Sequence, residues 1–250
     1  MSIFKKTTLM FFLALTSMNL YAQLRAVVRE PADMFLFYST SPGQAASDGT
    51  ARNSPFAASF LKNVDSREPL LMVAVDIANG TLALTAQRQR PVFESRIYAN
   101  KNYSIASGSS ARRYALVFGI NNYYNANERF INPSNDAQDI SSALIKIGYD
   151  VDLRIDADYI SMSRAVDEFL RKLSSDRDSE GFFWFGGLGF QINDEKYLLP
   201  ADAMATSEPI IRTTSISFDF LVDSLQSAGN KINLVFLDTG RTPPFSASTR

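Results

Sequence analysis

Catalysis needs groups that attack, move protons or hold charge, and this sequence lacks the commonest of them. It contains no cysteine and no histidine. That excludes disulfides, a cysteine nucleophile, a Ser–His–Asp triad and zinc sites built on Cys or His. Carboxylates, hydroxyls, Lys and Tyr remain. The most suggestive group follows the apolar run Ile232–Leu237 and reads Asp238, Thr239, Gly240, Arg241. An acid at the carboxyl end of a strand can pair bidentately with an arginine. It can equally cap the turn that follows, and Arg241 can neutralise it locally, so both readings stay open. Thr239 or Thr242 as a nucleophile would need Lys or a carboxylate as base, and both read better as turn residues.

A second group, Gly186-Gly187-Leu188-Gly189, closes another apolar run. Its glycines invite comparison with a phosphate loop, but the full GxGxxG spacing is missing and a tight turn is the simpler reading. The pairs Asp156/Asp158, Asp176/Asp178 and Asp194/Glu195 lack the glycine and terminal Glu of a calcium loop and read as solvated loop acids. Phe182, Phe183, Trp184 and Phe185 read as core and sheet face, because no basic groove accompanies them as a base-stacking platform would require. Nothing here calls for a metal or a cofactor.

The 250 residues are 46% hydrophobic and 20% charged, ordinary for a globular chain of one large or two small domains. With 25 Lys+Arg against 26 Asp+Glu the net charge is −1, so no global basic field draws nucleic acid or anionic lipid. Lys5 and Lys6 precede the apolar stretch Leu9–Met18, and Ala22 offers a small residue before Gln23. This is the pattern of an export signal over residues 1–22, and a secreted or periplasmic protein is expected. An uncleaved anchor is the other reading, since Leu20 is not small. The stretch is shorter than the about 20 apolar residues that span a bilayer. Loss of residues 1–22 removes Lys5 and Lys6 and no acid, which takes the charge from −1 to −3.

Elements that would position the two groups alternate along the chain. Tyr114–Gly119, Tyr149–Ile155, Gly181–Gly187 and Ile232–Asp238 read as strands. Between them lie a helix capped at Asn135/Asp136 and ended by Gly148, a helix capped by Ser161, and a helix over Ile216–Leu225. Such alternation predicts a mostly parallel sheet with right-handed crossovers and a ligand site beyond the strands' carboxyl ends. Upstream, Met34–Thr40 reads as a strand, with helices over Ser54–Asn63 and Leu70–Leu84. One strand cannot bury both faces alone, so Leu24–Ile97 is expected to complete the downstream sheet, its strand beside Ile232–Asp238. The polar stretch 98–112 reads as a linker.

The residues now carry a resemblance. Arg113–Gly119, Asn132-Pro133-Ser134-Asn135-Asp136-Ala137 and Gly148-Tyr149 resemble the opening of the caspase-like family, bacterial metacaspase-type members in particular. Gly186-Gly187-Leu188-Gly189 with Tyr197-Leu198-Leu199-Pro200-Ala201-Asp202 is similar to the segment bearing that family's catalytic His. Leu237-Asp238-Thr239-Gly240-Arg241 is similar to the strand end bearing its Cys. Residues 23–97 resemble the smaller subunit, through Tyr38–Gln44, Asp48-Gly49, Asn53-Ser54-Pro55-Phe56 and Gln89-Arg90-Pro91. Residues 113–250 resemble the larger one. The fold implied is α/β, a mostly parallel sheet flanked by helices, with residues 23–250 as one domain.

Two departures accompany the match. The small-subunit-like piece comes first, so the chain resembles a circular permutant whose old ends are joined through 98–112, a stretch able to extend roughly 45 Å. A domain swap or a truncated tandem array is the alternative. The second departure is chemical: the family's His position is Leu188 and its Cys position Gly240, and neither can transfer a proton or form an acyl bond. The resemblance further implies an oxyanion hole from the N–H groups of Gly189 and Gly240, and a pocket for a basic side chain lined by Asp238 and, more loosely, Asp48. Together these lead to a catalytically dead caspase-like domain that binds a peptide or protein presenting Arg or Lys, or an active family member. A hydrolase of non-cysteine mechanism and a structural envelope protein are the rivals.

Overall fold

Four apolar runs become central strands because a sheet covered on both faces demands apolar residues at successive positions, not alternate ones. A computed structural model of the chain describes residues 31–42, 44, 46–98, 101–106, 111–124 and 130–239. Strand β1 is Asp33–Tyr38, and it is followed by helices α1 (Pro55–Asn63) and α2 (Leu70–Leu84) and the strand β2 (Val92–Arg96). Then come β3 (Arg113–Gly119), α3 (Pro133–Lys146), β4 (Asp150–Ile155), α4 (Tyr159–Ser175) and β5 (Glu180–Gly186). The chain continues through β6 (Gly189–Ile192), β7 (Glu195–Leu198), α5 (Glu208–Thr214), β8 (Ile216–Ser217), α6 (Phe218–Ser227) and β9 (Ile232–Asp238).

The main sheet has the order β2-β1-β9-β5-β3-β4, and β6-β7-β8 form a small second sheet. Every pairing in the main sheet is parallel except β1 with β2. The expected neighbours meet: β1 runs parallel to β9, from Asp33 opposite Ile232 to Tyr38 opposite Leu237. The described part of the N-terminal piece therefore shares the core of the main sheet. Phe35 and Phe37 of β1, Phe56 and Phe60 of α1, Ala137 and Ile140 of α3, Trp184 of β5 and Phe236 of β9 share one apolar cluster on one sheet face. Helices α4 and α6 cover the opposite face, with Phe169, Leu173, Leu221 and Leu225 packed on Leu116, Phe183 and Val235. The rings of Phe182 and Phe236 stack at 5.0 Å, and those of Phe56 and Trp184 at 5.6 Å. Such pairs contribute about 0.5–1.5 kcal/mol each beyond the area they bury.

Three helix starts differ by two residues or more from the sequence reading. Helix α3 starts at Pro133 with Asn132 as its N-cap, ahead of Asn135/Asp136, because proline's fixed φ suits a first helical position. Helix α4 is capped by Asp158, whose carboxylate accepts from the N–H of Ser161 at 2.7 Å; Ser161 lies inside the first turn. Helix α6 starts at Phe218, and Ile216-Ser217 pair with β7 instead. Edge strand β2, the β6–β7 hairpin and α5 were not anticipated. Strand β2 is mostly exposed and follows Pro91, so it carries no apolar run.

At the amino ends of the strands the 98–112 stretch packs closely where it is described. Ile105 is fully buried, and Tyr103 donates its hydroxyl to Asp33 of β1 at 2.7 Å. Arg113 of β3 pairs with Glu180 of β5 at 3.0 Å, both side chains about 5% exposed, and Lys231 reaches the same Glu180 at 2.6 Å. Arg113 also donates to the carbonyls of Ile147 and Ile105 and to the Tyr149 hydroxyl. This network ties β3, β5 and β9 to the segment between the two halves of the sequence.

Candidate functional site

Parallel register brings the carboxyl ends of three strands level, with Gly119 opposite Gly186 and Gly186 opposite Asp238. Beyond β5 the chain turns at Gly187, where φ is +152° and an added Cβ would stand 2.4 Å from the Tyr123 hydroxyl. Only glycine fits there. The next residue, Leu188, is held by its backbone: its N–H donates to the Tyr123 hydroxyl at 2.6 Å, and its carbonyl accepts from the Leu199 N–H at 3.0 Å. Its half-buried side chain packs on the α4/α6 side of the core. Gly189 then approaches the end of β9 so closely that a Cβ would lie 2.5 Å from the Thr239 Oγ1. The Leu188 turn and the residue before Gly240 thus adjoin. Gly240 and Arg241, and with them any amide or ion pair they contribute, lie outside the described residues. A small apolar pocket opens between Gly189, Phe190, Tyr197 and Leu198 on one side and Leu237 and Thr239 on the other.

Asp238 lies on the other face, toward α1 and α3. Ser54, the N-cap of α1, donates its hydroxyl to Asp238 Oδ2 at 2.5 Å while accepting from the Ala57 N–H at 3.1 Å. The Ser54 N–H points to a second carboxylate, Asp136 of α3, at 3.1 Å and 3.3 Å from its two oxygens. Asn53 donates its amide to Asp136 and to Asp139, both at 3.0 Å, and Arg52 holds Asp139 through two 2.9 Å bonds. Three successive residues, Arg52 to Ser54, therefore fasten the N-terminal piece onto the acids of α3 and β9. Asp48 stands nearby but is spent on the loop before α3, accepting from the N–H groups of Ile131 and Asn132 at 2.9 Å and 3.3 Å.

The two central acids hold their protons unusually well. Burial pushes Asp136 up to about 7, with the Asp238 charge adding to it and bonds from Asn53 and Ser54 opposing it. Burial likewise pushes Asp238 up to about 6, against the Ser54 hydroxyl and with the charge of Asp48. The buried polar atoms without a partner among the described residues include the Trp184 indole N–H, close to Gly186, and the Asn132 side-chain oxygen.

Sequence reasoning treated Asp136 only as a helix cap and did not place Ser54 or Asn53 in a site. The missed signal was position: Asp136 sits with Pro133, Ala137 and Ile140 on the buried stripe of α3, where an acid is costly unless used. The other acidic pairs serve local structure. Asp156 accepts from the backbone of Asn121 and Asn122, Asp176 from the Asp178 N–H, and Glu195 from Tyr197 and Arg212. No group of three acids is placed to hold a metal ion among the described residues, nor is any helix there long and apolar enough to cross a membrane.

A family model described as the caspase domain matches residues 16–103 and 112–249, nearly the whole chain. Among solved structures, a protein from Geobacter sulfurreducens is similar at 18% identity and a TM-score of 0.38, over 51% of this chain. The match spans half the length of that protein. No curated protein matches.

Proposed function

The chain belongs to the caspase-domain family, and we propose that it is a circularly permuted, catalytically inactive member that binds peptides or proteins through exposed Arg or Lys side chains. The observation that carries this reading is the meeting of Asp136 of α3 and Asp238 at the end of β9 around Ser54, in a chain without His or Cys. Leucine moves no proton and glycine has no side chain with which to attack. What such a site retains is charge, and two enclosed carboxylates favour a guanidinium or ammonium group. The strand order supports the permutation, since among the described residues the first strand lies against the last. The basic and then apolar residues Lys5, Lys6 and Leu9–Met18 support export to the periplasm or medium. An active family member that presents a basic segment is one partner of the right chemistry.

Binding of a peptide with an internal arginine, followed by fluorescence anisotropy, tests the reading. Asp238→Asn should weaken it at least about 30-fold, since removing one side of an enclosed charge pair costs about 2 kcal/mol or more. Equal affinity for both proteins would move the function to another surface. Two neighbouring carboxyls with raised and unequal proton affinities also suit acid–base catalysis. Turnover of Arg or Lys substrates that disappears in Asp136→Asn would favour a hydrolase of non-cysteine mechanism. Neither binding nor turnover would leave a structural role in the envelope.

A further inference from the structure

We infer that the outer face of α2 is a contact between two copies of the chain, packed antiparallel about a two-fold axis at Asn79. This contact is independent of what the strand-end site binds.

A surface helix normally turns charge to the solvent, as α4 does with Arg164, Asp167, Glu168 and Arg171. Helix α2 does not. Its inner residues Leu70, Val73, Ala74, Ile77 and Thr81 are buried, and an added Cβ on Gly80 would stand 2.8 Å from the Ser59 hydroxyl of α1. That close packing fixes which residues face out. Leu71, Met72 and Val75 are 47%, 57% and 43% exposed among the described residues, and Asp76 is the one charged residue of the 15 in the helix. Met72, Val75, Asn79 and half-buried Leu82 follow the three-then-four spacing of a seam between helices. An apolar stripe of this length facing water marks a surface that binds.

Three observations say what it binds. Asn79 interrupts the stripe near its middle, and its amide has no hydrogen bond among the described residues. An amide both donates and accepts, so two of them across a two-fold axis satisfy each other, and Val75 then meets the partner's Leu82. Charge agrees with that arrangement. The exposed charges before and within α2 are Lys62, Arg67, Asp65, Glu68 and Asp76, two basic and three acidic for a net −1; those just after it are Arg88 and Arg90, a net +2. Antiparallel packing joins opposite ends and opposes the two helix dipoles, whereas parallel packing joins like with like. Lipid is the poorer fit, because a helix that lies on a bilayer lines its polar face with Lys and Arg, and α2 carries only Asp76.

Sedimentation equilibrium of the full chain should show monomer and dimer exchanging with a Kd on the order of tens of micromolar. One helix pair is smaller than the about 800 Å² per partner of a standard interface. Val75→Glu should weaken the dimer at least about tenfold and leave Tm unchanged at low concentration, since position 75 is exposed in the single chain. The chain has no cysteine, so introduced thiols read the geometry directly. Under mild oxidation Asn79→Cys should form a disulfide between two copies and Leu71→Cys should not. Antiparallel helices set the two residues 71 about 24 Å apart, and the bond needs Cα atoms within about 7 Å. A chain still monomeric at about ten times the expected Kd would overturn the contact. So would a dimer that survives Val75→Glu, the result expected if Leu9–Met18 drive association. Equal crosslinking at 71 and 79 would overturn it in favour of parallel packing. Binding to phosphatidylcholine vesicles that Val75→Glu abolishes would overturn it in favour of lipid.

Discussion

Arg113→Ala should destabilise the chain by about 3 kcal/mol in chemical denaturation, since breaking a buried ion pair from one side strands its partner. For a chain of this size that is roughly a 10 °C fall in Tm. The Arg113 guanidinium is about 5% exposed and serves Glu180, two main-chain carbonyls and the Tyr149 hydroxyl, with its Cζ 4.2 Å from the centre of the Tyr149 ring. Lys231 would still reach Glu180 at 2.6 Å, which keeps the loss at the low end of the usual range. Replacing both charges, as Arg113→Met with Glu180→Leu, should recover part of it because the charge then left without its partner, Lys231, is the partly exposed one. A loss below about 1 kcal/mol in the single variant would mean that the network does not hold the amino edge of the sheet.

The consequence for the site is indirect but definite. Tyr103 bonds Asp33 of β1 and Arg113 gathers Glu180 of β5, so the described part of the segment joining the two halves of the sequence belongs to the scaffold at the amino ends of the strands. Length alone reads as a tether; the burial of Ile105 shows that the described part of it is packed into the core.

What was legible in the sequence follows from physics that acts locally. Strands β3, β5 and β9 announced themselves because burial on both faces leaves unbroken apolar runs. Leu70–Leu84 was legible to the residue, bounded by Pro69 before it. Strand β2 was not, because an exposed edge strand such as Val92–Arg96 exists only through its partner β1. The site divided in the same way. Leu188 and Asp238 were found because each ends a buried run, where parallel sheets place their ligands. Asp136 was seen but misread: aspartate near a helix start is normally a cap, and the groups that claim it, Asn53 and Ser54, lie more than 80 residues earlier. The resemblance offers Asp48 as a pocket acid, whereas the structure ties its carboxylate to two amides of the loop before α3.

Leu188→His together with Gly240→Cys should turn the inert turn into a thiol–imidazole pair. Leu188 leaves a backbone fixed at both its N–H and its carbonyl, so a new side chain inherits a defined direction. Gly189, the next residue, touches Thr239, whose successor is position 240. Leucine here is half-buried rather than sealed in the core, so imidazole replaces it without a buried polar group left unpaired. A thiol beside an imidazole ionises below its ordinary value of about 8.5. The pH midpoint for alkylation of the introduced thiol should therefore fall by at least about one unit in the double variant relative to Gly240→Cys alone. Weak cleavage after Arg or Lys should accompany the shift, with Asp238→Asn removing that side-chain preference while leaving the thiol midpoint lowered. The two readouts separate two questions. A lowered midpoint without cleavage means that the pair faces correctly and the groups that would steady the oxyanion are missing. Identical midpoints in the single and double variants would mean that positions 188 and 240 do not face each other, and the assignment of Leu188 and Gly240 to the lost catalytic pair would fall.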